Sequence, residues 1–527
     1  MEKPWLSAYD PGVPASIAYP EVPVHEPMLA SAARDPSSVA LAGGGGPVTY
    51  GELASRAVAL SRSLNGLGVT RGARVGIVLP NIPEMAVSYY AISMTGATAV
   101  MLSPRLVARE FDQMAADAGL EFLICFGEFY RLMAETEALR RLDRVVVVGT
   151  GGAAGPGGGA ALEFDSLVGE GGPPFEAPAI DPRDDVAVLI YTGGTTGIPK
   201  AVMLTHYALV ANAMQLGAWV DLHPGCPAIC ALPLFHSYGM STGMNAPLFH
   251  GATSVLVSGE EAGELVESIE RHRVKLLVGV PSTVEDLVDY PGIEDADLSS
   301  LEYVFVGAAP LPGKVRKRFN RISPARLLEG YGLTEAVTAQ AANPRLGAGK
   351  PGSIGLPFPD VEFRVVDLET GTRDLGPEKA GELLLSSPCV MKGYHRRPVE
   401  TAKVLREGWL ATGDVAWVDR DGYFYVIDRK KDMVTSGVFK AYPAEVEAVI
   451  NAHEKVRESA VLGLFDDFRG HSLKALVVLE EPGSMTEREL LDYLEANLSR
   501  HKVPRVVEFL DRLPKSDLGK ILRTELE

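Results

Sequence analysis

The sequence is short of several things at once. Four cysteines in 527 residues are too few to staple a chain of this length, which excludes a disulfide-built scaffold of the secreted kind. Cys226 and Cys230 stand four apart with no second pair or histidine cluster beside them, so they read as reduced packing residues rather than metal ligands. Positive charge is scarce too: 50 Lys and Arg face 68 Asp and Glu, a formal charge of −18. That balance excludes a basic surface for nucleic acid or anionic lipid, and any polyanionic ligand has to be met by a few local cations. Long apolar runs are missing as well. Nothing approaches the roughly 18 consecutive apolar residues of a spanning helix, and the opening MEKPWLSAYDPGVPASIAYP has no apolar core of signal-peptide length. The expectation is a cytoplasmic protein with no nucleic-acid partner and no membrane span; a homodimer stays open.

What is present belongs to a folded chain. Hydrophobic residues make up 46% and charged residues 22%, close to the globular average, and 527 residues exceed the size at which one core keeps growing, so at least two domains are expected. VTYGELASRAVALSRSLNGLG carries a capping-box pattern from Thr49 to Glu52, an apolar stripe of Leu53, Ala57, Leu60 and Leu64, and a stop at Gly66, which predicts an amphipathic helix. Phe111, Met114, Ala115 and Ala118 repeat the pattern, ended by Gly119. Between such helices lie RVVVVGT, DVAVLIY, ATSVLV, VKLLVGV and YVFVGA, short β-branched runs that read as buried strands of a largely parallel sheet. The class is α/β. GTGGAAGPGGGA, residues 149–160, reads as a surface linker. Near residue 425 the texture changes: a helix opened by Pro443 and a second one capped by Thr486 and Glu489, with Leu490, Leu494 and Leu498 as its stripe, suggest a small separate domain of about 100 residues.

One segment raises a chemical question. YTGGTTGIPK, Tyr191 to Lys200, has glycines for close backbone approach and threonine hydroxyls as donors, the parts of an anion cradle. A Walker A loop is excluded, because no glycine precedes Lys200 and no hydroxyl follows it as that motif requires. Further on come PLFHSYGM with His236, VGAAPL from Val306, EGYGLTEA with Tyr331, Thr334 and Glu335, WLATGD ending in Asp414, DRKKD with Arg429 and Lys431, and LPKSDLGKILR with Lys520.

Together, in this order, these segments resemble the acyl-adenylate-forming superfamily of acyl-CoA synthetases, 4-coumarate-CoA ligases, firefly luciferases and peptide-synthetase adenylation domains. The resemblance runs from Pro4 to Arg523, and the opening KPWLSAYDPGVPASIAYPEVPVHE is similar to bacterial long-chain fatty acid-CoA ligases. It implies a large N-terminal domain of layered sheets and helices, 1–428, and a small mobile α+β domain, 429–527, hinged at Lys431. It implies ATP, Mg²⁺ and CoA as cofactor and co-substrates: a carboxylate attacks the α-phosphorus of ATP, pyrophosphate leaves, and a thiol then displaces AMP. Thr192, Gly193, Gly194, Thr195, Thr196 and Lys200 would hold the β- and γ-phosphates. Gly307, Ala308, Ala309, Tyr331 and Gly332 would hold the adenine, Asp414 and Arg429 the ribose. Thr334 would contact the α-phosphate, Glu335 would hold Mg²⁺, and Lys520 would bridge carboxylate and α-phosphate. His236, Tyr238, Gly239, Met240, Ala336 and Val337 would border the acyl group, and Ser436, Gly437 and Val438 the CoA tunnel.

The match has departures. Gly193 stands where many relatives have serine, Ala201 and Ala308 where glycine is usual, and Val438 where the tunnel generally has glycine. Valine adds bulk and disfavours positive φ, which leaves CoA transfer less supported by sequence than adenylation. The expected activity is an AMP-forming carboxylic acid-CoA ligase for a fatty or other hydrophobic acid. The alternatives are an acyl-AMP ligase that serves a separate carrier, and a nucleotide-binding sensor without catalysis.

Overall fold

The computed structural model describes residues 3–526 except 44, 150–160, 170–171, 193–198, 259–260, 348, 437–438, 467–469 and 517–518. The glycine-rich stretch read as a linker therefore lies outside the described residues apart from Gly149. The first predicted helix forms at Tyr50–Gly66, with Thr49 Oγ1 accepting from the Glu52 amide and the Glu52 carboxylate returning to the Thr49 amide. It stops at Gly66 as expected, and the positive-φ residue that follows is Gly68 at φ 101°. The second, Ala108–Ala118, ends on Gly119 at φ 65°.

The five apolar runs become strands, but of two sheets rather than one. RVVVVGT and DVAVLIY enter an eight-stranded sheet whose first three strands are Gly393–Tyr394, Lys200–Thr205 and Val186–Thr192; it continues through Thr98–Met101, Arg74–Val78 and Phe122–Phe126. The other three enter a nine-stranded sheet in which Arg326–Gly332, Tyr303–Val306, Leu276–Gly279, Pro227–Cys230, Thr253–Leu256 and Val39–Ala42 run parallel in that order. A β-branched run announces burial on both faces, not its neighbours, which is why the division escapes a reading of runs. Helices apolar on every side fill one core spanning both sheets: Pro83–Met94 buries eleven of its residues, and His206–Val220 buries twelve, as a helix without a polar face must. A third, antiparallel sheet contains Gly381–Ser386, Trp409–Val418 and Phe424–Arg429.

Beyond Asp432 the chain builds a separate core. Val446, Ile450, Val456, Val461, Ala475, Val477, Leu490 and Leu494 pack together between the helices Pro443–Asn451 and Glu487–Asn497 and a sheet of Val456–Asp466, Gly470–Leu479 and Val506–Phe509. All four cysteines are buried and free, and burial pushes the Cys230 and Cys389 thiols up to about 12. No described helix is long and apolar enough to cross a membrane.

Candidate active site

The strand pair Val186–Thr192 and Lys200–Thr205 is antiparallel, with Thr192 opposite Lys200. The glycine-threonine loop thus closes a hairpin instead of leading from strand to helix, a geometry different from the Walker fold. Gly193, Gly194, Thr195 and Thr196 lie outside the described residues; the two ends of their loop do not. Lys200 holds its ammonium 5.1 Å from the centre of the Tyr394 ring, a cation–π distance. The hydroxyl of Tyr394 donates to Glu335 Oε1 at 2.8 Å. Tyr394, which the sequence reading did not single out, therefore links the loop lysine to the carboxylate of the GLTE segment; an aromatic between Gly393 and the basic run His395–Arg397 was its one signal.

Tyr331 is the last residue but one of the strand Arg326–Gly332. Its hydroxyl donates to Asp414 Oδ2, and its ring meets Phe363 edge-on at 6.1 Å. Burial, with the Asp414 charge second, drives its pKa upward, so it remains a donor. Asp414 is 6% exposed and sits opposite Arg429 in register, with Oδ1 2.9 Å from Arg429 Nε. Arg429 also donates to the Thr412 carbonyl at 3.0 Å. Burial opposes its charge, but Asp414, Tyr331 and Glu335 raise its pKa. After the strand Tyr303–Val306, Gly307 is buried while Ala308 and Ala309 are exposed, and Ala308 is held at φ 71°, where an alanine is strained and the glycine usual at this point would not be. A methyl on Gly307 would come 2.9 Å from the Tyr238 hydroxyl.

Thr334 is buried, and its hydroxyl is 3.1 Å from that of Ser237, a second partner found only in three dimensions. The segment before it folds back so that His236 Nδ1 accepts from the Tyr238 amide at 3.1 Å. Tyr238 itself turns into the core, its hydroxyl on the carbonyls of Gly279 and Phe305. Gly239 and Met240 open a π-helix, Gly239–Asn245, buried along its whole length, a widened turn of the sort that gathers at functional sites. Ser241 on it donates to Asn212 Oδ1 at 2.6 Å, and Asn212 Nδ2 donates to the Ala339 carbonyl at 2.8 Å. Ala336 and Val337 are fully buried. Val337 has φ 65° and ψ −70°, and the Thr338 amide bonds the Ala336 carbonyl at 2.8 Å: a γ-turn of the strained, positive-φ kind on a β-branched residue. Gln340 Nε2 clamps the same carbonyl at 2.8 Å. Gly332 is what admits this turn, since a Cβ there would lie 1.9 Å from the Thr338 oxygen.

From the C-terminal unit, Lys520 reaches this assembly. Its ammonium feels the charges of Arg429, Asp414, Lys431 and Asp432, and its pKa is lowered, by burial first and Arg429 second, although one side of the residue remains exposed. Gly519 beside it abuts Ser282 of the body, where a Cβ would stand 2.7 Å from Ser282 Oγ. Lys431 is half solvent-facing, 3.9 Å from Asp432. Ser436 lies on the strand Val434–Ser436; Gly437 and Val438 lie outside the described residues.

Hydrogen bonds and charge thus tie Tyr331, Asp414, Arg429 and Glu335 into one cluster that the Lys520 ammonium also feels. Residues 29–395 match the model of the AMP-binding enzyme family, and residues 445–520 that of the AMP-binding enzyme C-terminal domain. The chain belongs to this family of adenylate-forming enzymes. It is 34% identical to a long-chain-fatty-acid–CoA ligase of Bacillus subtilis (strain 168), covering 100% of this chain and 98% of the relative. It is 38% identical to a feruloyl-CoA synthase of an Amycolatopsis species, over 94% and 96%. Among solved structures, ATP-bound MatB from Rhodopseudomonas palustris superposes with a TM-score of 0.88 at 28% identity, covering 96% and 98% of the two chains. The anthranilate CoA ligase AuaEII with anthranoyl-AMP gives 0.87 at 26%, covering 96% of each.

Proposed function

We propose that this chain is an AMP-forming ligase that joins a hydrophobic carboxylic acid to CoA, with Mg²⁺, in the cytoplasm. One observation carries the reading: the ammonium of Lys520, from the C-terminal unit, lies within electrostatic reach of the Asp414–Arg429 pair, which also feels Glu335. In the first step an acid oxygen bonds to the α-phosphorus of ATP while the bond to the β-phosphate oxygen breaks. Two anions meet there, so the step needs fixed positive charge where charge develops, worth about 3–4 kcal/mol per well-placed donor. Lys520 supplies it between carboxylate and α-phosphate. Asp414 accepts from the ribose hydroxyls with Arg429 holding it in place, the ledge Gly307 to Ala309 with Tyr331 and Gly332 receives the base, and the loop from Thr192 to Lys200 grips the departing pyrophosphate.

The donor set fits Mg²⁺. Glu335 spends Oε1 on Tyr394, its Oε2 has no hydrogen-bond partner among the described residues, and Mg²⁺ favours one or two carboxylates completed by phosphate oxygens and water; bound there, it would neutralise phosphate charge. In the second step the CoA sulfur bonds to the acyl carbon, AMP leaves, and the thiol proton passes to solvent. The lid, 429–527, turns about Lys431 between the steps, bringing the segment Ser436 to Val438 to the cleft. The acyl group lies against His236, Tyr238, Gly239, Met240, Ala336 and Val337, a border with no carboxylate or ammonium of its own.

The test is acid-dependent ATP–pyrophosphate exchange, followed by thioester formation with CoA. Exchange without any thioester product identifies a carrier-dependent acyl-AMP ligase, and no exchange with any acid identifies a sensor. A second reading of the acid is favoured by the feruloyl-CoA synthase relative, the more identical of the two at 38%: an aryl-propenoic acid in place of a fatty one. Pyrophosphate release across alkanoic acids of rising length and ring-bearing acids decides between them. Lys431→Pro should block thioester formation while leaving acyl-AMP formation largely intact.

A further inference from the structure

We propose that Lys314 is a positioning residue for adenylation: it latches the C-terminal lid in the pose that delivers Lys520, and so sets the balance between the two half-reactions. This rests on the role given to Lys520 above.

Lys314 is out of place by local rules. It occupies the first turn of the helix Gly313–Ile322, which has no acidic residue there, although the positive end of a helix dipole disfavours a cation. Two neighbours on the same helix are taken up inside the body, Arg316 by Glu329 and Arg318 by Asp289. Lys314 instead crosses to the lid. Its ammonium donates to the Val456 carbonyl at 2.7 Å, the Arg457 carbonyl at 3.3 Å and Glu480 Oε1 at 2.6 Å. Three acceptors match the three hydrogens of an ammonium, and its side chain is only 29% exposed.

The point it grips is mechanically connected to the catalytic lysine. Val456 pairs with Leu479 at one end of the long lid hairpin, and Glu480 follows directly. Glu458, next after the gripped carbonyls, holds Lys515 at 2.6 Å. Lys515 in turn pairs with Ile521, and the Ser516 amide bonds the Lys520 carbonyl at 2.8 Å, so backbone contacts tie Lys515 to Lys520. From the body, Glu285 and Asp286 of the helix Pro281–Asp289 feel the lid cations Lys515 and Arg457, and Glu285 feels Lys314 itself more strongly than either, so the body carboxylates and the latch act on one patch of the lid. Loss of the Lys314 charge therefore loosens the lid at the end of a short chain of contacts that terminates on Lys520, and it does so without touching any atom of the cleft.

The test uses the full-length enzyme and measures the half-reactions separately: pyrophosphate release with CoA omitted, and thioester formation from supplied acyl-AMP. Lys314→Met, which keeps the stem and removes the charge, is expected to slow the first about tenfold, the scale of one charged hydrogen bond, and to leave the second unchanged or faster. Lys314→Arg should recover most of the loss, Glu480→Gln should reproduce part of it, and Glu480→Lys should partly rescue Lys314→Glu. Unchanged pyrophosphate release in Lys314→Met, equal slowing of both steps, or no recovery in the charge exchange overturns the latch. Lys520→Ala run alongside separates the two claims: if it abolishes pyrophosphate release while Lys314→Met does not, the latch alone is wrong; if Lys520→Ala releases pyrophosphate normally, the reading of Lys520 is wrong and the latch falls with it.

Discussion

The proposed nucleotide side and the proposed acyl side of the cleft are made differently. On the proposed nucleotide side, side chains carried by strands do most of the work: Tyr331, Asp414 and Arg429 each project from a strand and are joined by a hydrogen bond and an ion pair, although Ala308 is strained at φ 71°. On the proposed acyl side the backbone itself is unusual, with the π-helix Gly239–Asn245 and the γ-turn at Val337 linked through Ser241, Asn212 and the Ala339 carbonyl, and none of the residues proposed to border the acid is an acid, a lysine or an arginine. Chemistry common to every adenylation can be fixed by side chains on a rigid frame, whereas the shape that admits one acid is set by where the backbone departs from regularity. The two halves should therefore respond to different substitutions, ATP handling on one and acid choice on the other.

The largest effect expected is at the residue that serves both halves. Lys520→Ala should lower acid-dependent pyrophosphate release by about 10²–10³-fold, the range for removing one preorganised donor, while thioester formation from supplied acyl-AMP continues. Retained pyrophosphate release would remove Lys520 from the reaction. Next comes Asp414→Asn, which keeps the acceptor for Tyr331 but leaves Arg429 without its ionic partner. KM for ATP should rise about 10–100-fold, in line with the cost of an unpaired charge in a partly buried site, with KM for the acid close to that of the parent enzyme. A matching rise in both constants would erase the division between the two sides.

Val337→Gly sharpens the comparison from the other side. Glycine relieves the positive-φ strain, about 1–3 kcal/mol, while it forfeits a buried side chain worth about 1.5–3 kcal/mol. The melting temperature should therefore move little, in contrast to Val304→Gly on the regular buried strand Tyr303–Val306, where nothing offsets the loss. Relative kcat/KM among acids should change several-fold and KM for ATP should not. Equal destabilisation by the two substitutions would mean that the turn at Val337 stores no strain.

Legibility follows the same division. Tyr331, Thr334, Glu335, Asp414 and Lys520 could be proposed from sequence because a side-chain type at a given place in a motif is a local fact. So could the Thr49 and Thr486 capping boxes, formed within four residues. Ser237 and Tyr394 could not, because their partners Thr334 and Glu335 lie 97 and 59 residues away. The splitting of the β-branched runs between two sheets was hidden for the same reason. The π-helix and the γ-turn left no compositional mark: GMSTGMN has no residue that demands a widened turn, and a valine is the last residue one would place at positive φ. The strain there is imposed by Gly332, Gln340 and the buried Asn212–Ser241 pair, all fixed by tertiary packing.

The smallest effect concerns pH, and its sign can be worked out from the surroundings of Lys520. The group acts as an ammonium, and burial together with Arg429 lowers its pKa, so its proton leaves at a lower pH than from an ordinary lysine at about 10.4. Adenylation is then fully active below the lowered pKa and declines as pH rises through it. Bound triphosphate adds negative charge beside the ammonium and moves the value back up. Because kcat/KM follows the free enzyme and kcat the substrate complex, the alkaline limb of kcat/KM should lie at lower pH than that of kcat, with little change near neutrality. Lys520→Arg, which stays charged throughout this range, should flatten both limbs even where it lowers the rate. Limbs that coincide, or that persist unchanged in the arginine variant, would assign the titration to another group and show that the nucleotide side is tuned by something other than the lysine brought to it by the lid.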